Sequence, residues 1–70
     1  MWKVREQKHN TRIAIKDEHF DKVTKFKSKN KAHYYYTHVF NDNYFTDLQE
    51  YVNGKWKYRA SSCVSALANT

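Results

Sequence analysis

The residues best suited to chemistry in this chain lie in the run Lys55-Trp56-Lys57-Tyr58-Arg59. Cations interleaved with aromatic rings serve single-stranded nucleic-acid binders, in which charges follow phosphates and rings stack on bases. On a strand, however, successive side chains point to opposite faces. Lys55, Lys57 and Arg59 then project from one side and Trp56 and Tyr58 from the other. This division predicts that Trp56 and Tyr58 fill the core while the three cations stand outside, where they could contact phosphate. A second basic group precedes them: Lys25, Lys27, Lys29 and Lys31 recur at every second residue. If extended they line one side as a basic comb, although a solvated loop or a lysine-guarded edge strand has the same spacing.

Other reactive side chains carry weaker signals. His33 and His38 are five residues apart, on opposite faces of any strand, which is wrong for shared metal ligation. His38 set opposite Asp47, with Tyr36 nearby, would make a general acid–base pair, the kind of chemistry a small ribonuclease uses. No nucleophile motif, glycine-rich phosphate cradle or acidic pair suited to Mg²⁺ accompanies it, so the chain does not read as an enzyme. Cys63 is the only cysteine, which rules out an internal disulfide. No clustered Cys/His spacing suggests a metal or cofactor site. In Tyr34-Tyr35-Tyr36, burial of the outer pair leaves Tyr35 exposed and suited to a protein interface.

The charge is unevenly placed. Of a net +6 over 70 residues, residues 1–32 carry ten Lys/Arg against four acids, and residues 33–70 carry three of each. Nine of the twelve aromatic residues lie after residue 32. A basic half thus precedes an aromatic half, and excess positive charge favours polyanions through steering and counterion release. Seventy residues make a single domain, 1–70, with a small core and marginal stability. The N-terminus has no apolar segment like that of a signal peptide, and no run is long enough to span a bilayer. A cytoplasmic protein that does not contact membranes is expected.

The elements that must position these residues are read from turns and alternation. Asn53-Gly54 is the strongest hairpin signal present, because a type I′ turn needs positive φ at both central residues. Pairing outward from it sets Val52 opposite Lys55, Tyr51 opposite Trp56, Glu50 opposite Lys57, Gln49 opposite Tyr58 and Leu48 opposite Arg59. Residues 2–8 and 12–16 alternate as short strands. Asp17 is a candidate cap for a short helix over 18–27, and residues 33–40, rich in aromatic and β-branched side chains, read as a strand. A two-residue turn within Asn41-Asp42-Asn43 would gather Tyr34, Tyr36, His38 and Phe40 on the face of Phe45, Tyr51, Trp56 and Tyr58. Ser61 or Ser62 could cap a short C-terminal helix carrying Val64, Leu67 and Ala68.

The resulting expectation is an α+β fold. It has a small antiparallel sheet of four or five strands, a meander over 33–61, and one short helix packed on the aromatic face; an all-β small barrel is the alternative. The function expected is a small basic, non-enzymatic module that contacts nucleic-acid phosphates through Lys25, Lys27, Lys29, Lys31, Lys55, Lys57 and Arg59. The alternatives are a protein-interaction or inhibitor module binding an acidic protein partner, with Tyr35 as a contact, and a small ribonuclease using His38. In general character the chain resembles many small phage or mobile-element accessory proteins. An edge strand also offers a route to a homodimer.

Overall fold

A computed structural model describes residues 1–64. Its frame is a four-stranded antiparallel sheet in the order β2-β1-β3-β4, formed by β1 (Trp2–Gln7), β2 (Lys22–Phe26), β3 (Phe45–Val52) and β4 (Lys55–Cys63). One helix, α1 (Lys29–Val39), connects β2 to β3 and packs across one face. The architecture is α+β, and the sheet does not close into a barrel.

The hairpin forms as its turn chemistry requires. Asn53 and Gly54 both have positive φ, 51° and 79°, and the first four rungs out from the turn pair as expected, ending with Gln49 opposite Tyr58. The register then shifts, so that Leu48 faces Ala60 and not Arg59. This bulge leaves Arg59 as the extra residue and re-phases the rest of β4. Ala60 and Ser62 now share the side of Leu48 and Thr46, and Ala60 packs against the apolar core.

Two segments exchange the identities expected of them. Residues 22–26 form a strand, and only Asp17–His19 make a single 3-10 turn. Lys22, Thr24 and Phe26 pair with Glu6, Val4 and Trp2 of β1, a period-two pairing that prevails over the short helix expected at 18–27. Residues 33–39 are helical instead of extended, and Phe40–Asp42 continue as a 3-10 turn. The Ser28 hydroxyl caps α1 by accepting from the Lys31 N–H at 3.2 Å. The chain then places Ala32, Tyr35, Tyr36, Val39 and Phe40 on one helical stripe, all of them buried or half-buried against the sheet. Packing of that stripe overrides the strand preference of its tyrosines. Residues 12–16 are loop rather than strand, with Arg12 at φ 66°. The tail is still strand at Ser61–Cys63; the C-terminal helix expected beyond lies largely outside the described residues.

The largest correction concerns which face is the core. Trp2, Val4 and Leu48 point towards α1 and meet Ala32 and Tyr36. Tyr51, Trp56 and Tyr58 point the other way, so α1 packs on the face opposite these aromatics. Tyr51 and Tyr58 are exposed and Trp56 is half-buried. The helix side also holds polar partners: buried Glu6 accepts from the Tyr35 hydroxyl at 2.6 Å and from the Asn43 amide at 3.1 Å. The Tyr36 hydroxyl bonds Ser62 Oγ.

Leu48→Ala is expected to lose about 2–5 kcal/mol, because it opens a cavity at the centre of the core. Tyr51→Ala, on the open face, is expected to leave most of the stability in place. Urea midpoints of the two variants test this assignment of faces.

Candidate functional site

The face away from α1 is built on β1, where Lys3, Arg5 and Gln7 alternate with the core residues Trp2, Val4 and Glu6. All three long polar side chains are buried, because the segment from Lys8 to Asp21 folds back over them. Gln7 Nε2 donates to Thr11 Oγ1 at 2.8 Å and to the carbonyls of Ile13 and His19 at 2.9 and 3.0 Å. The Lys8 N–H donates to Asp21 at 2.6 Å, and His19 Nδ1 accepts from the Ile15 and Lys16 N–H groups.

Arg5 is the centre of this network. Its Nε and one terminal nitrogen grip the two carboxylate oxygens of Asp47, its partner across β3, at 3.0 and 2.7 Å. Its other terminal nitrogen donates to the Ile15 carbonyl at 2.9 Å and to Asp17 at 3.2 Å. The guanidinium lies 4.1 Å from the centroid of buried Phe20 and 5.9 Å from that of Tyr58. Burial works against the Arg5 charge, but its hydrogen bonds to Asp47 and the charge there, with its hydrogen bonds to Asp17 and Tyr58, outweigh it and move its pKa upward. Asp17 is held below its ordinary value by the hydrogen bond from Lys3 at 2.8 Å, with Arg5 acting in the same sense against partial desolvation.

Above this network lies a cleft of about 540 Å³. Lys3, Arg5 and Gln49 line its floor, Trp56 and Tyr58 come from β4, and Ile15, Lys16 and Glu18 come from the folded-back segment. The Lys3 ammonium sits 4.2 Å from the Trp56 ring centroid, and Tyr51 packs edge-on against Trp56 with centroids 5.1 Å apart. A row of accessible rings above this polar floor can hold a flat ligand by stacking. Because Asp17 and Asp47 already neutralise Lys3 and Arg5, phosphate must be met by cations at the margin, of which Lys16 is exposed at the cleft wall. Lys25 is exposed on the same sheet face, opposite Lys3.

The seven cations expected to form one basic surface are distributed over several. Lys25 lies on the cleft side of β2, and Lys27 is exposed in the bend that follows. Lys29 and Lys31 belong to the first turn of α1. Lys55 and Lys57 pair with Val52 and Glu50 on the side facing away from the cleft, and Arg59 bonds Glu50 at 3.1 Å. Lys29 and Arg59 meet around a shallow basin with Trp2, His33 and Glu50. Lys31 instead borders an apolar groove made by Phe26, Tyr34 and Tyr35.

Tyr35 is half-buried, with its hydroxyl on Glu6 and its ring against Phe26; the exposed tyrosine is Tyr34, at 68%. His38 does not meet Asp47. It sits on α1 with its ring 4.0 Å from that of Tyr34, while Asp47 is buried against Arg5 on the far side of the sheet. Among the described residues no cluster of three His, Cys, Asp or Glu side chains is arranged to hold a metal, and no helix is long and apolar enough to cross a membrane.

Sequence reasoning missed Lys3, Arg5 and Gln49 as site residues, and it paired Asp47 with His38 where the structure pairs it with Arg5. The available signal was the alternation Lys3-x-Arg5-x-Gln7, which puts three long polar side chains on one face of a strand whose other face begins with Trp2 and Val4. No protein-family model matches the chain, and no curated protein or solved structure matches it either.

Two outcomes follow from the network. Asp47→Ala strands a buried guanidinium and is expected to cost about 3–5 kcal/mol, whereas replacing Arg5 and Asp47 together by apolar residues costs far less; a double-mutant cycle in urea measures the difference. Asp17 titrates lower in the folded state than its ordinary value of 3.8, so its contribution is complete above that value and is lost as pH falls through and below it. Asp17→Asn is therefore expected to flatten the acid limb of a plot of Tm against pH.

Proposed function

We propose that this protein binds single-stranded nucleic acid on the open face of its sheet, with Tyr58, Trp56 and Tyr51 as the stacking platform. The observation that carries this reading is the placement of three accessible rings on the face α1 leaves uncovered, Tyr58 at 59% and Tyr51 at 47% exposure, beside a cleft floored by Lys3 and Arg5. Exposed aromatic side chains on an antiparallel sheet are expensive to leave in water, but they give each base of an unpaired strand a flat surface worth about 1–3 kcal/mol. Duplexes do not offer those base faces, so single strands are the favoured ligand.

The conflict between rings and cations along Lys55–Arg59 does not arise on this face. The rings come from β3 and β4, and the cations that share their side come from β1, β2 and the folded-back segment: Lys3, Arg5, Lys25 and Lys16. Lys3 and Arg5 hold the platform in place through Trp56 and Tyr58, while Lys16 and Lys25, exposed and in no ion pair with another described residue, are available to neutralise phosphates. Lys55, Lys57 and Arg59, on the opposite side of β4, add long-range attraction to the net +6 charge.

Trp2 is buried, so a change in tryptophan fluorescence reports on Trp56. Titration with oligo-dT or oligo-U octamers is expected to quench it, with affinity falling as salt rises. Two neutralised phosphates give a log–log slope of about −1.4, and Lys16→Ala reduces it by about 0.7. Tyr58→Ala is expected to lose about 1–3 kcal/mol of binding with the fold intact by circular dichroism. Absence of binding at low salt would overturn the reading.

A further inference from the structure

Gln49 is the polar side chain of the cleft floor that makes no hydrogen bond with the other described residues. It is only 3% exposed. Its polar neighbours are committed elsewhere. Lys3 donates to Asp17, Arg5 to Asp47, Asp17 and the Ile15 carbonyl, and Tyr58 accepts from Arg5. The amide is not sealed off, since Gln49 is not among the buried side chains whose polar atoms lack a partner; it is left to water at the cleft floor, and a ligand that enters the cleft can take the place of that water.

Its position relative to the platform gives that amide a task. Gln49 and Tyr58 are direct partners across β3 and β4, on the same face. Such partners have Cβ atoms about 4.5–5.5 Å apart, so a base stacked on Tyr58 carries its edge over Gln49. A carboxamide offers one donor and one acceptor side by side, the complement of the paired acceptor and donor on a base edge.

Building on the single-strand reading above, we propose that the cleft is a base-selective subsite. One base of the bound strand stacks on Tyr58, and Gln49 reads its hydrogen-bonding edge through paired donor and acceptor contacts. The remaining bases stack on Trp56 and Tyr51 without edge contacts, so selectivity is confined to one position. Gln49 is thus the specificity determinant, and Tyr58 supplies affinity for any base.

The test compares oligo-dA, oligo-dC and oligo-dT octamers by fluorescence titration for the wild type and for Gln49→Leu. The wild type is expected to separate its best from its worst octamer by at least about tenfold, the range of one good bidentate contact. Gln49→Leu is expected to compress that ratio below about threefold while keeping the wild-type salt slope. Its urea midpoint is expected to be unchanged or higher, since no internal hydrogen bond is lost. Equal wild-type affinity for all three octamers overturns the subsite and leaves single-strand binding standing. Undiminished selectivity in Gln49→Leu, or a lowered midpoint that reveals an internal partner for the amide, also overturns it. Failure of the wild type to bind any octamer overturns both proposals.

Discussion

The bidentate contact between Arg5 and Asp47 is the constraint on which the rest of this small fold depends. A seventy-residue chain without a disulfide must stabilise itself with little apolar volume, and here the buried apolar cluster is confined to the side of the sheet under α1. The opposite side is organised by charge. Arg5 joins β1 to β3 through Asp47, fixes the Lys8–Asp21 segment through Ile15 and Asp17, and orients Tyr58. A charge buried this deeply is tolerated only when nearly every donor is used, and Arg5 meets that condition with Asp47, Ile15, Asp17 and Tyr58. The cleft exists because this arrangement holds its floor rigid.

The same contact explains the distribution of aromatic residues. Rings that would ordinarily fill a core lie on the charged side, where Phe20, Tyr58 and Trp56 pack against guanidinium and ammonium groups. Phe20 becomes buried this way, whereas Tyr58 and Tyr51 remain open to solvent. The cations of β1 therefore serve folding and the support of the open-face rings at once, with their charges already met by Asp17 and Asp47.

How much of this was legible in the sequence varied with the range of the interaction. The hairpin at Asn53-Gly54 and its first four rungs follow from local backbone chemistry and were readable. The bulge at Arg59 was not, because it arises from the need to bring Ala60 beneath the core. The segments 18–27 and 33–40 were read with their identities exchanged. Strand-favouring tyrosines masked the stripe Ala32, Tyr35, Tyr36, Val39 and Phe40, and the polar Lys22, Thr24 and Lys25 around Val23 masked the pairing of β2 with β1. Trp56 and Tyr58 were assigned to the core on the assumption that aromatics mark the buried face. That assumption fails when the core partners are Trp2 and Val4, far away in sequence and joined to Leu48 only once the sheet assembles. The cleft was least legible, because it requires the neighbours of Arg5 to come from three separate stretches of chain.

The β3–β4 hairpin outruns the strand beside it. Pairing with β1 ends at Glu50, opposite Trp2, and beyond that rung Tyr51, Val52, Lys55 and Trp56 are joined chiefly to one another, with added ties from the Tyr51 N–H to the Met1 carbonyl and from the Lys3 ammonium to the Trp56 ring. Two-stranded ladders of this kind open locally at far lower free energy than the whole fold. Amide protons should accordingly exchange along a gradient, slow at Leu48 and fast at the hairpin tip. One end of the aromatic row, Tyr58, is tied directly to the salt-linked floor, whereas the other, Tyr51, lies past the last rung of β1 and reaches that floor only through Trp56.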